Sequence, residues 1–248
     1  MSSYQQSIRN RVFVHQQIPY VFNWNIEHHK QKVFQLNPYR SEFVLLGKYF
    51  NRIYQGKIPN NLFNSKSLPR VSRFKITGIK SIFINHFAKK LIREGKIEHF
   101  DSNSNLPQYA RKVHANFKND GIGQKPGHGP VLKYILIKDK DSVAIEIPIW
   151  KRVGKNSITG HIDLIQIQHN TVKVIDYKPE GNFMFSLPQV ATYGLLLKSV
   201  LNIENLKCLS FNEYAAWEFD PNILLTDIKD YLISHNVKER LWENYAIL

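Results

Sequence analysis

The sequence contains almost no sulfur, with one cysteine, Cys208, and two methionines among 248 residues. A single cysteine cannot form an internal disulfide, and one chain with one cysteine cannot build a cysteine-rich zinc or iron–sulfur site. Cys208 stands in an apolar run, where we expect a small buried side chain. The scarcity of cysteine agrees with a reducing compartment, and we expect a cytoplasmic, intracellular protein.

Long apolar runs are also missing. No run approaches the roughly 18 residues that a membrane-spanning helix needs. The opening sequence, MSSYQQSIRNRVFVHQQ, has no apolar core of the kind found in secretory signals. Hydrophobic residues make up 43% of the chain and charged residues 22%, which is typical of a globular protein. We therefore expect no membrane partner, and one large or two small domains with a hydrophobic core.

Acidic residues are the minority among the charged ones. Lys and Arg number 34 against 20 Asp and Glu, which gives a formal net charge of +14 and a pI near 9.7. Such an excess indicates a polyanionic partner, usually nucleic acid, although a basic surface kept for solubility is the alternative. No helix-turn-helix or zinc-finger pattern supports readout of particular bases.

The periodicity of apolar residues changes along the chain. Helical spacing predicts helices over residues 41–56, 77–96, 107–118 and 187–201, with one or two more after residue 221. Strand-like runs cover residues 131–139, 142–150, 160–167, 171–178 and 206–219. This order predicts an α/β or α+β core at residues 106–248, preceded by a basic helical region at residues 1–105.

Two of the strand-like runs carry one aspartate each, Asp163 and Asp176, and Lys178 follows the second aspartate by two residues. Side chains two apart share one face of a strand, so Asp176 and Lys178 lie together, and pairing of the two runs adds Asp163. Partly buried carboxylates repel each other unless a positive charge neutralises them. A divalent cation does so, and two acids, a lysine and a metal suit phosphodiester hydrolysis. The alternative is a buried ion-pair cluster, which is costly to bury.

Three ordered elements resemble a known family. Gly160-His161-Ile162-Asp163 matches G-x-x-D, Asp176-Tyr177-Lys178 matches (D/E)-x-K, and the run from Gln189 to Tyr193 matches Q-x-x-x-Y. This order resembles the PD-(D/E)xK nuclease superfamily and its RecB-like branch, which includes CRISPR-associated exonucleases. The resemblance covers residues 108–218. It implies a restriction-endonuclease-like core, with a central mixed sheet flanked by helices.

The resemblance also implies roles for individual residues. Asp163 and Asp176 would bind one or two Mg²⁺ or Mn²⁺ ions, and the carbonyl group of Tyr177 would contribute to the shell. Lys178 would orient or deprotonate the attacking water and stabilise charge at the phosphate. Gln189 and Tyr193 lie four apart on one helix face, where they would position Lys178 or the nucleic acid. For Gln189 and Tyr193 the alternative is packing in the core with satisfied polar groups.

Three further positions each have a structural alternative. RecB-like nucleases often carry a metal-binding histidine on a helix before the strands, and His114 fits that place. The alternative is a histidine on a helix face that serves packing or faces solvent. Glu146 lies on the preceding strand among apolar neighbours and is either a further metal ligand or one half of a salt bridge. His161 precedes Asp163 by two residues and either touches substrate or fills space.

The chain departs from the family in two respects. It lacks the four cysteines that hold an iron–sulfur cluster in many CRISPR-associated members, and it lacks a G-x-x-x-x-G-K-[ST] helicase motif. We therefore expect a stand-alone, metal-dependent DNA nuclease, an exonuclease acting on DNA ends or single strands. A structure-specific or nicking endonuclease and an inactive DNA-binding subunit on the same fold are the alternatives, and RNA is not excluded as substrate.

Rings and cations alternate in the amino-terminal region, which would suit a surface that stacks bases and contacts phosphates. A place in the hydrophobic core is the alternative for the rings. The residues concerned are Tyr39, Arg40, Phe50, Arg52 and Tyr54.

Overall fold

The structure is a computed structural model that describes residues 7–35, 41–153 and 156–246. One eight-stranded sheet has the order β1-β2-β4-β5-β6-β7-β8-β3. All neighbouring strands are antiparallel except β6 and β7, which are parallel. The strands are β1 (Ile8–His15), β2 (Ile18–Asn25), β3 (Ile97–Phe100), β4 (Ser142–Val153), β5 (Asn156–Gln168), β6 (Thr171–Tyr177), β7 (Leu206–Phe211) and β8 (Ala216–Phe219).

Helices flank this sheet, so the protein is a mixed α/β protein as expected. The helices are α1 (Ile26–Gln35), α2 (Ser41–Tyr54), α3 (Asn60–Asn64), α4 (Ser81–Arg93), α5 (Asn105–Asn119), α6 (His128–Lys138), α7 (Phe183–Leu201), α8 (Asp227–Ser234) and α9 (Glu243–Ala246). Two short 3-10 helices lie at Val71–Arg73 and Pro221–Leu224. Within the described residues, none of the helices combines the length and apolar character that crossing a bilayer requires.

Strand β6 shows how the sheet separates two hydrophobic clusters. Ile175 and Tyr177 pack in the smaller cluster, together with buried side chains of α5 and α6. Val172 and Val174 point the other way, into the larger cluster formed with α7 and the helices before residue 94. Because side chains alternate along a strand, Asp176 lies on the face that α7 covers.

The region before residue 106 contributes three of the eight strands, although a helical region was expected there. The β1–β2 hairpin is an edge element with one side in solvent, and Val12 and Val14 are each 59% exposed. Apolar residues on both sides of this hairpin obscure the alternation that predicts a strand. Its two-residue turn, Gln16 and Gln17, has positive φ angles of 51° and 68° without the usual Asn-Gly sequence.

The run at residues 131–139 was predicted as a strand, and this prediction was wrong because the run forms most of helix α6. Val131, Leu132, Ile135 and Leu136 are fully buried. These residues stand at positions i, i+1, i+4 and i+5, which lie on one face of a helix. A short apolar run does not separate a buried helix from a buried strand by periodicity alone.

Helix α7 passes close to β7 at Gly194. A Cβ atom at this position would lie 2.4 Å from the Sγ atom of Cys208 and 3.0 Å from the Cβ atom of Pro221. Cys208 is fully buried, as expected, and its thiol donates to the Val190 carbonyl oxygen at 3.3 Å. The contact between helix and sheet therefore requires a residue without a side chain.

We predict that Gly194→Ala destabilises the protein, although alanine is normally favoured over glycine inside a helix. Overpacking of this contact should lower the free energy of unfolding by about 1–3 kcal/mol, measured by urea denaturation. The matched control is Gly123→Ala, where an added Cβ meets nothing within 4 Å. Gly194→Ala combined with Cys208→Ala should recover part of the loss, whereas an unchanged or raised stability of Gly194→Ala alone would contradict the packing argument.

Candidate functional site

The two aspartates meet where strands β5 and β6 stop pairing. The ladder between these strands ends at Leu164 and Ile175, so Asp163 and Asp176 occupy the next register position. The main-chain N–H of Tyr177 donates to Oδ2 of Asp163 at 3.0 Å, which replaces the missing ladder bond. A side chain thus closes the gap between the strands and places two carboxylates beside each other.

Glu146 adds a third carboxylate from strand β4. Ile145 pairs with Leu164 and Ile147 with Ile162, so Glu146 lies opposite Asp163. Its φ angle is +53°, a left-handed conformation that is rare for a residue with a side chain inside a strand. Backbone strain of this kind concentrates at functional sites because the surrounding structure must enforce it.

A cleft of about 290 Å³ contains six of the eight expected site residues. These are Glu146, Asp163, Asp176, Lys178, Gln189 and Tyr193. The cleft is also lined by His161, as well as by Tyr20, Arg70, Ser72 and His128, which the sequence analysis did not select. The predicted convergence of the two aspartates and the lysine is therefore what the structure shows.

Lys178 and Gln189 bind Asp176 from two sides. The Nζ atom of Lys178 lies 2.9 Å from Oδ2 of Asp176 and donates to Oε1 of Gln189 at 3.2 Å. The Gln189 amide nitrogen donates to Oδ1 of Asp176, also at 3.2 Å. The ammonium group approaches Oδ2 without the alignment of a hydrogen bond, so this buried oxygen has no hydrogen-bond donor among the described residues.

Burial and mutual repulsion make the carboxylates reluctant to ionise. Burial, followed by the neighbouring Asp163 charge, raises the pKa of Asp176 to about 7. The same two causes, in the same order, raise the pKa of Glu146 to about 7. Such perturbed acids in a cleft are characteristic of functional sites, because structural stability alone would favour apolar residues there.

Tyr193 fixes the position of helix α7 over the cleft. Its hydroxyl group contacts the main chain of His161 and the side chain of Gln189, and burial raises its pKa. A Cβ atom at Gly160 would lie 2.4 Å from the Tyr193 ring, so the glycine makes room for the tyrosine. The G-x-x-D element and the Q-x-x-x-Y element of the sequence therefore contact each other directly, through Gly160 and Tyr193.

His128 is the imidazole that contacts a carboxylate of this cleft. Its Nδ1 atom lies 3.1 Å from Oδ2 of Asp163, and the hydrogen bond to this carboxylate raises the pKa of His128. His128 is the first residue of α6. The Gly-Pro sequence around it predicted a loop, and only recognition of a helix with Pro130 in its first turn would have placed His128 at the sheet.

His114 and the Tyr177 side chain lie outside the cleft. The Nε2 atom of His114 is 2.9 Å from the Tyr177 hydroxyl oxygen, and its Nδ1 atom is 3.7 Å from Glu213. The Tyr177 ring packs in the smaller hydrophobic cluster, while its main-chain N–H contacts Asp163. His114 and His128 lie on α5 and α6, the two helices that directly precede β4, and His128 is the one beside the carboxylates.

The described residues of the expected amino-terminal stacking surface differ in their exposure. Phe50 is fully buried in the larger cluster, and Tyr54 is half-buried. Arg52 lies 5.3 Å from the ring centre of Trp150. Tyr39 and Arg40 lie outside the described residues.

The donor set of the cleft suits a hard divalent cation, because carboxylate oxygens are the ligands that Mg²⁺ and Mn²⁺ prefer. Glu146, Asp163, Asp176 and His128 supply it. Among the described residues, the buried Oδ2 of Asp176 has no aligned hydrogen-bond donor and is approached only by the Lys178 ammonium group at 2.9 Å. Over residues 7–35, 41–153 and 156–246, however, no three such side chains are arranged to hold an ion. Binding would therefore require the His128 and Lys178 contacts with the aspartates to rearrange.

The raised pKa of Glu146 leads to a prediction about stability. Unfolded Glu loses its proton near pH 4.3, whereas folded Glu146 keeps it to about pH 7, so folding is weakened as pH rises between these values. When the pH is raised from 5 to 8, the free energy of unfolding should fall in the wild type. In Glu146→Gln this fall should be smaller by about 1–3 kcal/mol. Urea denaturation in EDTA measures this, with exposed Glu239→Gln as the control. Parallel pH profiles of Glu146→Gln and wild type would refute the assignment.

Comparison of the chain with protein-family models, with curated proteins and with solved structures found no match.

Proposed function

We propose that this protein is a metal-dependent nuclease that hydrolyses phosphodiester bonds of DNA, as an exonuclease acting on DNA ends or single strands. The observation that carries the proposal is the alignment of Glu146, Asp163 and Asp176 at matched positions of three adjacent strands, with Lys178 2.9 Å from Asp176. The PD-(D/E)xK architecture, with a restriction-endonuclease-like core, is the finer fold that we propose. The mixed sheet with flanking helices supports it.

The acidic part of the cleft would hold Mg²⁺ or Mn²⁺ through Asp163, Asp176, Glu146 and His128. When bound, the cation would neutralise charge at the phosphoryl oxygen atoms and promote attack by water. Buried carboxylates with raised pKa values agree with this role, since they require a positive charge to remain ionised at neutral pH.

Lys178 and Gln189 would act on the reacting groups. As an ammonium group, Lys178 donates hydrogen bonds to a non-bridging phosphate oxygen or to the attacking water, and only the neutral amine could accept a proton. The Gln189 amide contacts both Lys178 and Asp176, so it orients the lysine relative to the carboxylate. Tyr193 holds the helix that carries Gln189, which makes it a positioning residue.

The charge of the whole chain supports a polyanionic substrate. A net charge of +14 raises the local concentration of nucleic acid and makes its binding sensitive to salt. The cleft itself contains Arg70 and Lys178 beside the acids, so cations are available for phosphate groups close to the site.

We predict that Asp176→Asn and Lys178→Ala each reduce cleavage by about 100-fold or more, because each removes a group that acts on the transition state. The assay uses linear single- and double-stranded DNA labelled at the 5′ or 3′ end, together with a closed circle, in Mg²⁺, Mn²⁺ or EDTA. The charge-matched control is Lys207→Ala, since Lys207 lies outside the cleft. Melting curves should show that Asp176→Asn remains folded, because asparagine removes a charge that burial disfavours.

The substrates separate the remaining possibilities. Loss of linear strands alone establishes an exonuclease and its direction, whereas cleavage of the closed circle identifies an endonuclease. Normal cleavage by Asp176→Asn would show that the chemistry lies elsewhere. Salt-sensitive binding of DNA without any cleavage would identify a DNA-binding protein and reject the enzymatic proposal.

Substitutions of His128 and His114 should differ in their effect on cleavage. His128→Ala should reduce it about 10- to 100-fold, because His128 contacts Asp163 directly. His114→Ala should change it by less than about threefold, because His114 contacts the Tyr177 hydroxyl outside the cleft. Initial rates on one labelled strand over a range of Mn²⁺ concentrations measure both effects. A larger defect in His114→Ala than in His128→Ala would reverse this assignment.

A further inference from the structure

A second polar cluster borders the carboxylates, and Arg70 is its centre. Arg70 directly precedes the 3-10 helix at Val71–Arg73, and its main chain forms a bridge with Thr159 of β5. The residue is only 8% exposed, yet it lines the same cleft as Asp163 and Asp176. An almost buried guanidinium group therefore faces the space between the candidate catalytic residues.

The hydrogen-bond partners of this guanidinium are all uncharged acceptors. Its Nη1 atom donates to Oε1 of Gln16 at 3.3 Å, and its Nη2 atom donates to the Tyr20 hydroxyl at 3.2 Å and to Nδ1 of His161 at 3.3 Å. The buried Nε atom has no hydrogen-bond partner among residues 7–35, 41–153 and 156–246. Arg70 forms no ion pair with a carboxylate in the part of the chain that the structure describes.

The contact with His161 fixes the protonation of a histidine pair. Arginine has donors only, so Nδ1 of His161 accepts and its Nε2 carries the proton. That Nε2 lies 2.9 Å from Nδ1 of His15, and Nε2 of His15 lies 3.3 Å from Oδ1 of Asn60. Each imidazole therefore donates to the next acceptor, and burial lowers the pKa of both histidines. The described residues position Arg70 through neutral groups and give it no carboxylate partner.

The strained turn of the β1–β2 hairpin contributes to the same arrangement. Gln16 has a φ of 51°, and its main-chain N–H donates to Oδ1 of Asn64 at 2.7 Å. Its side-chain nitrogen donates to the Ser65 carbonyl oxygen at 3.0 Å, which leaves Oε1 directed at Arg70. Tyr20 stacks on His161 with ring centres 3.7 Å apart. The left-handed backbone at Gln16 therefore helps to place the side chains that surround Arg70.

A buried guanidinium without an anion is unfavourable, which indicates that its counter-ion comes from a ligand. The planar donor fork of arginine matches the oxygen atoms of a phosphate group. We propose that Arg70, with Tyr20 and His161 around it, binds a phosphate group of the nucleic-acid strand beside the phosphate that is cleaved. This inference rests on the proposed nuclease function for the identity of its ligand, which is either a terminal phosphate monoester or an internal diester.

The test measures binding rather than cleavage. Fluorescence anisotropy of short labelled DNA strands is recorded in the Asp176→Asn background, with strands that carry a 5′-phosphate, a 5′-hydroxyl or a 3′-phosphate. Arg70→Gln should weaken the affinity about 10- to 100-fold, as expected for loss of charge-assisted hydrogen bonds. Exposed Arg93→Gln removes the same charge and should weaken it less than about threefold.

The three labelled DNA strands distinguish a terminal phosphate monoester from an internal phosphodiester as the ligand of Arg70. A defect confined to strands with one phosphorylated end assigns Arg70 to that terminal phosphate, and an equal defect on all strands assigns it to an internal diester. Affinities of Arg70→Gln within about twofold of those of Arg93→Gln would overturn the proposal. Absence of cleavage by the wild type together with an Arg70-dependent affinity would instead reject the nuclease and leave the phosphate site in place.

Arg70 is buried, so a folding defect requires its own control. Arg70→Lys keeps the charge but loses the fork, and its affinity should fall between those of wild type and Arg70→Gln. Inorganic phosphate should raise the melting temperature of the wild type above its value in chloride of equal ionic strength. If both Arg70 variants unfold, the melting temperature of the wild type tests the phosphate site on its own. Equal melting temperatures in phosphate and chloride would reject the site.

Discussion

Repulsion between buried carboxylates is the constraint around which the cleft is arranged. Asp163 and Asp176 occupy the register position where β5 and β6 part, and Glu146 lies opposite Asp163 on the next strand. Burial, followed by repulsion from Asp163, disfavours ionisation of Glu146 and Asp176 and raises the pKa of each. Lys178 and His128 approach these oxygen atoms and offset part of the repulsion. A fold that needed only stability would place apolar side chains here.

The cleft combines two opposite electrostatic deficits. Its acidic part has more negative charge than Lys178 and His128 neutralise, whereas Arg70 is a nearly buried cation with neutral partners. A metal-bound phosphodiester strand would satisfy both, because the cation neutralises the acids and a phosphate neutralises the arginine. The two proposals therefore support each other through charge balance, although each depends on different residues and can fail independently.

The sequence predicted the part of the site that depends on local pattern. Asp163, Asp176 and Lys178 stand in clear apolar runs, so their convergence followed from pairing of the two strands. The family resemblance, together with their spacing on one helix face, added Gln189 and Tyr193. The place of His128 in the site was not predicted, because its helix begins in a Gly-Pro segment and continues as an apolar run that also fits a strand. His114 had the expected position along the chain, but the structure places it behind Tyr177.

Arg70 illustrates what no local pattern could predict. Its contacts with Gln16 and His161 join positions 54 and 91 residues apart, and they depend on a hairpin turn whose sequence carries no turn signal. The groups around Arg70 come largely from the first 105 residues, whereas the carboxylates come from β4, β5 and β6. Because β2 pairs with β4, the amino-terminal region and the carboxylate-bearing strands belong to one continuous sheet. This sheet holds the groups around Arg70 beside the carboxylates. The amino-terminal region therefore completes the candidate site, and removing it would leave the carboxylates without the arginine that we assign to the strand's phosphate.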